Sequence, residues 1–217
     1  MIRVVIADDH TIVREGLKQL LFTASDVEVV DEARDGHEVV RLVREGEFDV
    51  LLLDLSMPGK AGMDLIRQVK GEKPKLRILV LSMHAEHQYA VRAIKAGASG
   101  YLTKDSASTQ LLSAIRKVAG GGAVISAEVA EQLALSSMPH AEGPLHESLS
   151  DREFQVFQCL VRGTSVSDIA QQLNLSVKTV STHKARLMEK MGLANQAELI
   201  HYAIRHRLID DLAAPGG

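Results

Sequence analysis

The sequence predicts an α/β domain followed by an all-helical domain. Up to about residue 118, short apolar runs alternate with amphipathic stretches, a pattern typical of a parallel sheet with helices on both faces. After the segment "SSMPHAEGPLHES", whose Ser, Pro and Gly indicate a linker, apolar residues recur only at helical spacing. We therefore expect a doubly wound, five-stranded parallel sheet and a four-helix C-terminal domain.

Five apolar runs have the composition of strands. They are "IRVVIA" at 2–7, "VEVVDEA" at 27–33, "DVLLLD" at 49–54, "LRILVLS" at 76–82 and "GYLT" at 100–103. Amphipathic stretches such as "TIVREGLKQLLFTA" and "EHQYAVRAIKAGA" separate them, and "STQLLSAIRKV" follows the last one. These stretches predict the helices that cover the sheet.

Capping signals predict the C-terminal helices. "SDRE" has the form of a capping box, with Ser150 as the N-cap and Glu153 reaching back to it. Gly163 is expected to end that helix, and Ser165 and Ser176 to cap the next two. "QAELIHYAIRH" forms the last of the four helices.

The composition is that of an ordinary cytoplasmic protein. A chain of 217 residues is long enough for two small domains. Its single cysteine, Cys159, allows no intramolecular disulfide, which fits a reducing compartment. The opening "MIRVVIADDH" has acidic residues too early for a signal peptide, and no apolar stretch is long enough to span a bilayer. We expect a cytoplasmic location and no membrane partner.

We expect two domains joined by a linker, with one basic cluster in the second domain. We place one domain at 1–120, a linker with a short helix at 121–147, and the helical domain at 148–211. The net charge is −3, yet "SVKTVSTHKARLMEKM" at 176–191 holds four basic residues and one Glu. This basic cluster fits either a nucleic-acid contact or a solvated helix face.

Polar residues stand at four of the predicted strand ends. Asp8 and Asp9 follow the first strand, Asp54 ends the third, Ser82 ends the fourth and Lys104 follows the fifth. Because the carboxyl ends of parallel strands lie along one edge of the sheet, we expect these side chains to meet. Taken alone, Asp54 could equally end a strand or cap the next helix.

Such a group of residues predicts phosphoryl chemistry that depends on a metal. Clustered carboxylates repel one another unless a cation lies among them, and oxygen ligands suit Mg²⁺. Asp9, Asp54 and a backbone carbonyl just past Asp54 would suffice as ligands. The same arrangement makes Asp54 a nucleophile toward a phosphoryl group, with Lys104 offsetting charge and Ser82 binding the product.

Four motifs, "ADDH", "LLLDLSMPG", "LSMH" and "GASGYLTKD", resemble the receiver domain of two-component response regulators, over about residues 1–120. The resemblance implies a flavodoxin-like fold and phosphoryl transfer from a sensor histidine kinase to Asp54. It also implies a Mg²⁺ site with oxygen ligands only: Asp8 through water, Asp9, Asp54 and the backbone carbonyl of Ser56. The family's switch hydroxyl, switch aromatic and lysine correspond to Ser82, Tyr101 and Lys104.

Two positions depart from the receiver pattern. Asp105 follows Lys104, where many receivers have a proline joined by a cis bond. Met83 follows the switch hydroxyl, where many have a small residue, so we expect partial cover of the phosphorylation site and slower phosphoryl turnover. Neither departure removes a chemical group that the transfer needs.

The helical region resembles the LuxR-type helix-turn-helix, the DNA-binding output domain of one large class of response regulators. The matching stretch runs from "LSDREFQVF" through "LSVKTVSTHKARLMEKMGLANQAELI", over about residues 149–204. The helix-turn-helix itself extends from about Val166 to Ala185. Two short helices with a Gly-containing turn are common, so the specificity comes from the receiver-like region before them.

Helical spacing divides the expected recognition helix into two faces. Val180, Leu187 and Met191 share one face at about 3.6 residues per turn and should pack inward. The opposite face would enter the major groove. Its candidate base contacts, which discriminate weakly, are Ser181, Thr182 and Ala185. Its candidate phosphate contacts are Lys178, Thr179, His183, Arg186 and Lys190. His183 fits helix packing equally well, and the stem of Lys184 should pack while its amine stays solvated.

These features predict a response regulator that acts as a DNA-binding transcription factor and not as an enzyme. We expect phosphorylation to promote a homodimer on promoter DNA with an inverted repeat, and RNA polymerase is a further candidate partner. The last helix offers Leu199, Ile200 and Ala203 for pairing, although Leu199 and Ala203 fit the domain core better.

Two other functional classes remain open from the sequence. A phosphotransfer relay or protein-binding regulator would use the helical domain to contact a partner protein, and salt-sensitive binding to duplex DNA separates it from a transcription factor. An aspartyl phosphatase is less consistent, because it would need an acid at position 56, where Ser56 stands.

Overall fold

The computed structural model contains two compact units, Met1–Ser137 and Met138–Gly217. It describes residues 1–57, 62–83, 87–136, 144–206 and 208. Several expected segments lie outside the described residues: 137–143 of the linker, 207 and 209–211 of the helical domain, and Pro58, Gly59 and His84 of the receiver motifs. No helix in the described ranges is long and apolar enough to cross a membrane.

The first unit contains the expected five-stranded parallel sheet. The strands are β1 Ile2–Ala7, β2 Val27–Ala33, β3 Val50–Asp54, β4 Arg77–Ser82 and β5 Gly100–Thr103. Their order is β2-β1-β3-β4-β5, and each neighbouring pair is parallel. β3 and β4 begin one residue later than expected. Because the order reverses beside β1, the carboxyl ends of β1 and β3 flank the crevice where such sheets bind ligands.

Helices bury the sheet on both faces. The described part of the first unit has α1 Thr11–Phe22, α2 Gly36–Glu45, α3 Gly62–Glu72, α4 His87–Lys95, α5 Lys104–Ala119 and α6 Ala127–Ser136. Leu17 and Leu21 of α1 and Ile115 of α5 join one buried cluster with side chains of β1, β3 and β4. All five residues of β3 are buried, which explains why its sequence is continuously apolar up to Asp54. α5 begins at Lys104, earlier than the stretch "STQLLSAIRKV" indicates.

The segment after α5 stays attached to the first unit. Val124 forms a parallel bridge with Gly100, and its carbonyl accepts a hydrogen bond from the N–H of Tyr101 at 2.9 Å. α6, the short helix expected in the linker, packs against α4 and buries Val129. The expected linker at 121–147 thus begins inside the folded unit, because Val124 and Val129 pack there.

The second unit is helical and has the expected caps. Its described residues form a 3-10 turn, Leu145–Ser148, and helices α7 Asp151–Val161, α8 Val166–Gln172, α9 Val177–Met191 and α10 Gln196–Arg205. Ser150 and Glu153 form a reciprocal capping box. Ser165 and Ser176 cap α8 and α9. Gly163, with φ of +81°, follows α7 in the left-handed region that favours glycine.

The core of the second unit confirms the inward face of α9. Val180, Leu187 and Met191 are buried, and α9 packs against α7 and α8. Phe154 and Phe157 of α7 are fully buried and stack with ring centroids 5.8 Å apart.

α10 completes this core with two of the three residues considered for pairing. Leu199 and Ala203 are fully buried within the second unit, so they are not available as a pairing surface. Ile200 is half-buried, and Ile204, one turn further along, is 47% exposed. The large aliphatic side chains that α10 leaves accessible are therefore Ile200 and Ile204.

Candidate acidic site and nucleic-acid interface

The neighbouring strands β1 and β3 bring together an acidic cluster. Asp8, Asp9, His10 and Asp54 each offer a ligand atom, and these atoms all lie within 4.8 Å of one another. Asp8 and Asp54 are buried, whereas Asp9 and His10 are exposed. The three expected carboxylates therefore meet as the parallel topology predicts.

His10 is a member of this cluster that the sequence did not single out. Its Nδ1 lies 2.9 Å from Oδ1 of Asp9 and 3.2 Å from Oδ1 of Asp8. Its backbone N–H donates to Oδ1 of Asp8 at 2.8 Å. The signal was present, since His10 directly follows the acidic pair in "ADDH".

Lys104 bridges the two buried carboxylates. Its Nζ lies 2.6 Å from Oδ2 of Asp8 and 2.9 Å from Oδ2 of Asp54. Burial acts to lower the pKa of Lys104, but the hydrogen bonds to both carboxylates outweigh it and raise the pKa above its ordinary value. Burial raises the pKa of Asp54 above its ordinary value, and the hydrogen bond from Lys104 opposes this only in part. Asp54 is thus a desolvated carboxylate whose charge depends on a nearby cation.

Ser56 lies beside Asp54 on the loop that follows β3. Its backbone N–H donates to Oδ1 of Asp54 at 3.1 Å, so the chain turns back toward the carboxylate directly after the strand. The residue is exposed, consistent with an accessible backbone at this point.

Ser82, the last residue of β4, and Tyr101, the second residue of β5, form a buried hydrogen-bonded pair. Their side chains are joined by a hydrogen bond, and burial raises the pKa of Tyr101 to about 12. The phenol therefore stays protonated at neutral pH. Asp54 acts electrostatically on the same phenol, so the pair is close to the acidic cluster. Met83, which was expected to cover the site in part, has an exposed side chain.

The second unit presents the outward face of α9 as expected. The exposed positions include all three candidate base contacts and three of the basic residues: Lys178, Ser181, Thr182, Ala185, Arg186 and Lys190. Val177, at the start of α9, is also exposed and was not anticipated as part of this face. An apolar side chain beside the base-contact positions could meet a thymine methyl group.

Three candidate phosphate contacts have partners within the second unit or are half-buried. Lys190 Nζ donates to Oε2 of Glu153 at 2.7 Å, so its charge is already paired. The hydroxyl of Thr179 bonds to that of Ser176, the N-cap, at 2.7 Å. His183 is half-buried, and burial lowers its pKa, which favours the neutral ring. Lys178 and Arg186 are the better placed contacts.

Two family models match the chain. Residues 4–116 match the response regulator receiver domain, and residues 147–203 match the bacterial regulatory proteins of the LuxR family. A receiver joined to a DNA-binding domain defines a response regulator with transcriptional output. The chain belongs to the two-component response regulators of the LuxR type, and it is a DNA-binding transcription regulator and not an enzyme.

Relatives extend over nearly the whole chain. It is 38% identical over 209 residues to the response regulator UvrY of Escherichia coli (strain K12), covering 96% of each chain. RcsB from Salmonella enterica serovar Typhimurium, bound to promoter rprA with phosphomimetic BeF3−, is 29% identical, with a TM-score of 0.62 over 93% of this chain and 97% of that one. A structure of two RcsB dimers on two parallel DNAs is 30% identical, with a TM-score of 0.57 over 94% and 98%.

Proposed function

We propose that Asp54 accepts a phosphoryl group and that this modification controls binding of α9 to promoter DNA. The enclosure of Asp54 carries the proposal: it is 2% exposed, yet Lys104 Nζ lies 2.9 Å from its Oδ2 and the acidic cluster surrounds it. A carboxylate held in this way can act as a nucleophile. One of its oxygens bonds to phosphorus as the bond between phosphorus and a histidine nitrogen of a sensor kinase breaks.

The acidic cluster fits a divalent cation that prefers oxygen ligands. Two of its carboxylates are buried, and their repulsion is offset within the described residues by a single ammonium. Asp9, Asp54 and the backbone carbonyl of Ser56 would bind Mg²⁺ directly and Asp8 through water. Bound Mg²⁺ would supply positive charge at the transferred oxygens.

Lys104 and Ser82 have separate roles in this proposal. The Lys104 ammonium, which now bonds to Asp8 and Asp54, donates to a phosphoryl oxygen once Asp54 is modified. The Ser82 hydroxyl donates to a second phosphoryl oxygen, and its bond with Tyr101 holds the phenol against β4. The new charge is thereby linked to the position of Tyr101.

DNA binding is assigned to the exposed face of α9. Lys178 and Arg186 bind phosphates, with Thr179, His183 and Lys190 as weaker candidates, while Ser181, Thr182 and Ala185 face the bases. The proposed boundaries are 1–120 for the receiver and 148–211 for the DNA-binding domain. The promoter complex of RcsB supports this assignment by similarity.

We further infer that the phosphorylated form binds an inverted repeat as a homodimer. A domain of this size makes a modest interface with DNA, and a dimer doubles it. RcsB dimers on DNA support the pairing by similarity. We also propose a cytoplasmic location, where promoter DNA is accessible, and RNA polymerase as a candidate partner.

Acetyl phosphate and Mg²⁺ test the proposal on the full chain. We expect labelling of Asp54, no labelling of Asp54→Asn, and unchanged labelling of Asp64→Asn, which alters an exposed carboxylate in the same unit. Phosphorylation should also increase affinity for a promoter fragment in a way that depends on salt.

Two results would overturn this function. Labelling that persists in Asp54→Asn would place the acceptor at another residue. Labelling of Asp54 without any salt-dependent binding to duplex DNA would instead support a relay or protein-binding regulator.

A further inference from the structure

Arg14 is a buried cation behind the acidic cluster. It occupies the inward face of α1 together with Leu17 and Leu21, a position where an apolar residue is usual. Arg14 is 3% exposed, and its guanidinium makes three hydrogen bonds. Nη1 donates to the backbone carbonyl of Asp8 at 2.8 Å, Nε to Oε2 of Glu32 at 2.9 Å, and Nη2 to the hydroxyl of Thr11 at 3.3 Å.

Glu32 anchors the guanidinium from β2. The pairing of β1 with β2 shifts by one residue after Val4, so that Glu32 lies opposite Ile6, whose side chain belongs to the cluster beneath α1. The shift places the carboxylate on the side of the sheet that α1 covers. Lys18 also donates to Glu32 at 2.7 Å, and this bond is the main reason that the pKa of Glu32 lies below its ordinary value. Glu32 therefore remains charged opposite Arg14.

The backbone of Asp8 is consequently held from two directions. Its N–H donates to the carbonyl of Ala33 at 3.1 Å, and its carbonyl accepts from Arg14. Because the peptide between Asp8 and Asp9 is planar, the direction of that carbonyl also sets the direction of the Asp9 N–H. Arg14 thus fixes the peptide from which both acidic side chains extend.

We propose that Arg14 is a positioning residue that sets the affinity of the acidic pair for Mg²⁺, an inference that rests on the proposed function. Arg14 lies behind the cluster and touches the backbone of Asp8, so it acts through the orientation of Asp8 and Asp9. Without the guanidinium, the buried Asp8 carbonyl loses its donor, and the peptide can rotate away from the geometry that a small octahedral cation requires.

Titration of the full chain with MgCl₂ tests this role. Binding is followed by calorimetry, and urea unfolding identifies which variants remain folded. We expect Arg14→Met to weaken Mg²⁺ binding about tenfold, the lower end of the effect of removing a group that orients metal ligands. Glu32→Gln keeps an acceptor for Nε and should change the affinity by less than about twofold. Arg116→Met, which breaks an exposed pair with Asp26, is the matched control and should leave the affinity unchanged.

Phosphorylation by acetyl phosphate supplies a second readout. In Arg14→Met, the Mg²⁺ concentration for half-maximal rate should rise by the same factor as the dissociation constant, while the rate at saturating Mg²⁺ approaches that of the parent. A loss confined to stability would change neither quantity in the folded protein. If Arg14→Met does not fold, Arg14→Lys and Glu32→Ala provide the test instead. Each should weaken Mg²⁺ binding measurably, by up to about tenfold.

Unchanged Mg²⁺ affinity in the folded Arg14 variants would overturn the proposal, as would a reduced saturating rate at unchanged affinity. Parent protein that binds Mg²⁺ and is labelled at Asp54 in those experiments would leave the proposed function standing. Parent protein that does neither would overturn both inferences together.

Discussion

Nζ of Lys104 lies 2.9 Å from Oδ2 of Asp54, although 50 positions separate the two residues in the chain. Asp54 is the last residue of β3, and Lys104, the first residue of α5, directly follows β5. Because β4 lies between β3 and β5, the side chain of Lys104 reaches across the end of β4. The same ammonium lies 2.6 Å from Oδ2 of Asp8. One ammonium therefore bridges two buried carboxylates, and its charge would repel a metal ion bound by the same two residues.

Replacing Lys104 by alanine should separate metal binding from signalling. We expect Lys104→Ala to bind Mg²⁺ no more weakly than the parent, because the repelling ammonium is removed, and to lose the increase in DNA affinity upon phosphorylation. Calorimetry with MgCl₂ and promoter binding before and after acetyl phosphate measure the two effects. Lys117→Ala, on an exposed position of the same helix, is the control. Weakened Mg²⁺ binding with normal coupling would contradict this division of roles.

The raised pKa of Asp54 predicts how stability depends on pH. The folded chain holds the Asp54 proton more tightly than the unfolded chain, so this contribution to stability is complete below about pH 3.9 and is lost as pH rises through the raised pKa. Asn at this position is neutral at every pH. Asp54→Asn should therefore gain stability relative to the parent as pH rises from about 3.9 through the raised pKa of Asp54.

Urea unfolding of the first unit at several pH values measures this difference. Asp64→Asn replaces an exposed carboxylate and should show a much smaller change with pH, because that group is solvated in both states. Parallel stability curves for the parent and Asp54→Asn would show that burial does not govern the Asp54 carboxylate.

Substitutions on α9 should separate base contacts from phosphate contacts. Thr182→Ala should change which operator sequences are preferred while leaving the salt dependence of binding nearly unaltered. Lys178→Ala should weaken all sequences about equally and reduce the salt slope by roughly one unit. Lys190→Ala is the matched comparison, since its charge is already paired with Glu153, and it should reduce the slope far less.

Affinities for several operator variants over a range of salt concentrations provide the test. The expected site is degenerate, because hydroxyl and methyl groups discriminate weakly and part of the specificity comes from DNA shape. If Lys178→Ala reorders the sequence preference and Thr182→Ala only lowers affinity, α9 enters the groove in another orientation.

The two apolar faces of α10 should respond differently to substitution. Ile204→Asp alters an exposed position and should abolish dimer formation on an inverted repeat while leaving the second unit folded. Leu199→Ala opens a cavity in the core and should lower the free energy of unfolding by about 2–5 kcal/mol. Footprinting and urea unfolding distinguish these outcomes. A full-length dimeric footprint with Ile204→Asp would place the pairing surface elsewhere.

The strands and the meeting of Asp8, Asp54 and Lys104 could be predicted because both follow from topology. Alternating apolar runs specify a parallel sheet, and a parallel sheet brings its strand ends to one edge. Likewise, "SDRE" contains its own capping box, so the start of α7 was readable within four residues. Local spacing also identified the inward face of α9.

Side-chain roles that depend on residues far away in the chain could not be predicted from local sequence patterns. Arg14 appears in the sequence as one more charge on an amphipathic helix, and its role depends on a register shift in β2 that places Glu32 beneath it. Lys190 was expected to contact phosphate, because its partner Glu153 lies 37 positions away in the chain and local spacing does not reveal the pair. In both cases a side chain from another element decides what the residue does.

Gly100 helps to prevent the edge of the sheet from pairing with a strand of another copy of the chain. A Cβ at this position would lie 2.9 Å from atoms of both Leu79 and Val124, so only glycine lets the chain return alongside β5. Val124 then accepts from the N–H of Tyr101 and donates to the carbonyl of Ser99 at 3.1 Å. These bonds occupy groups on the outer edge of the sheet that could otherwise recruit a strand from another copy. Gly100→Val should therefore expose an aggregation-prone edge.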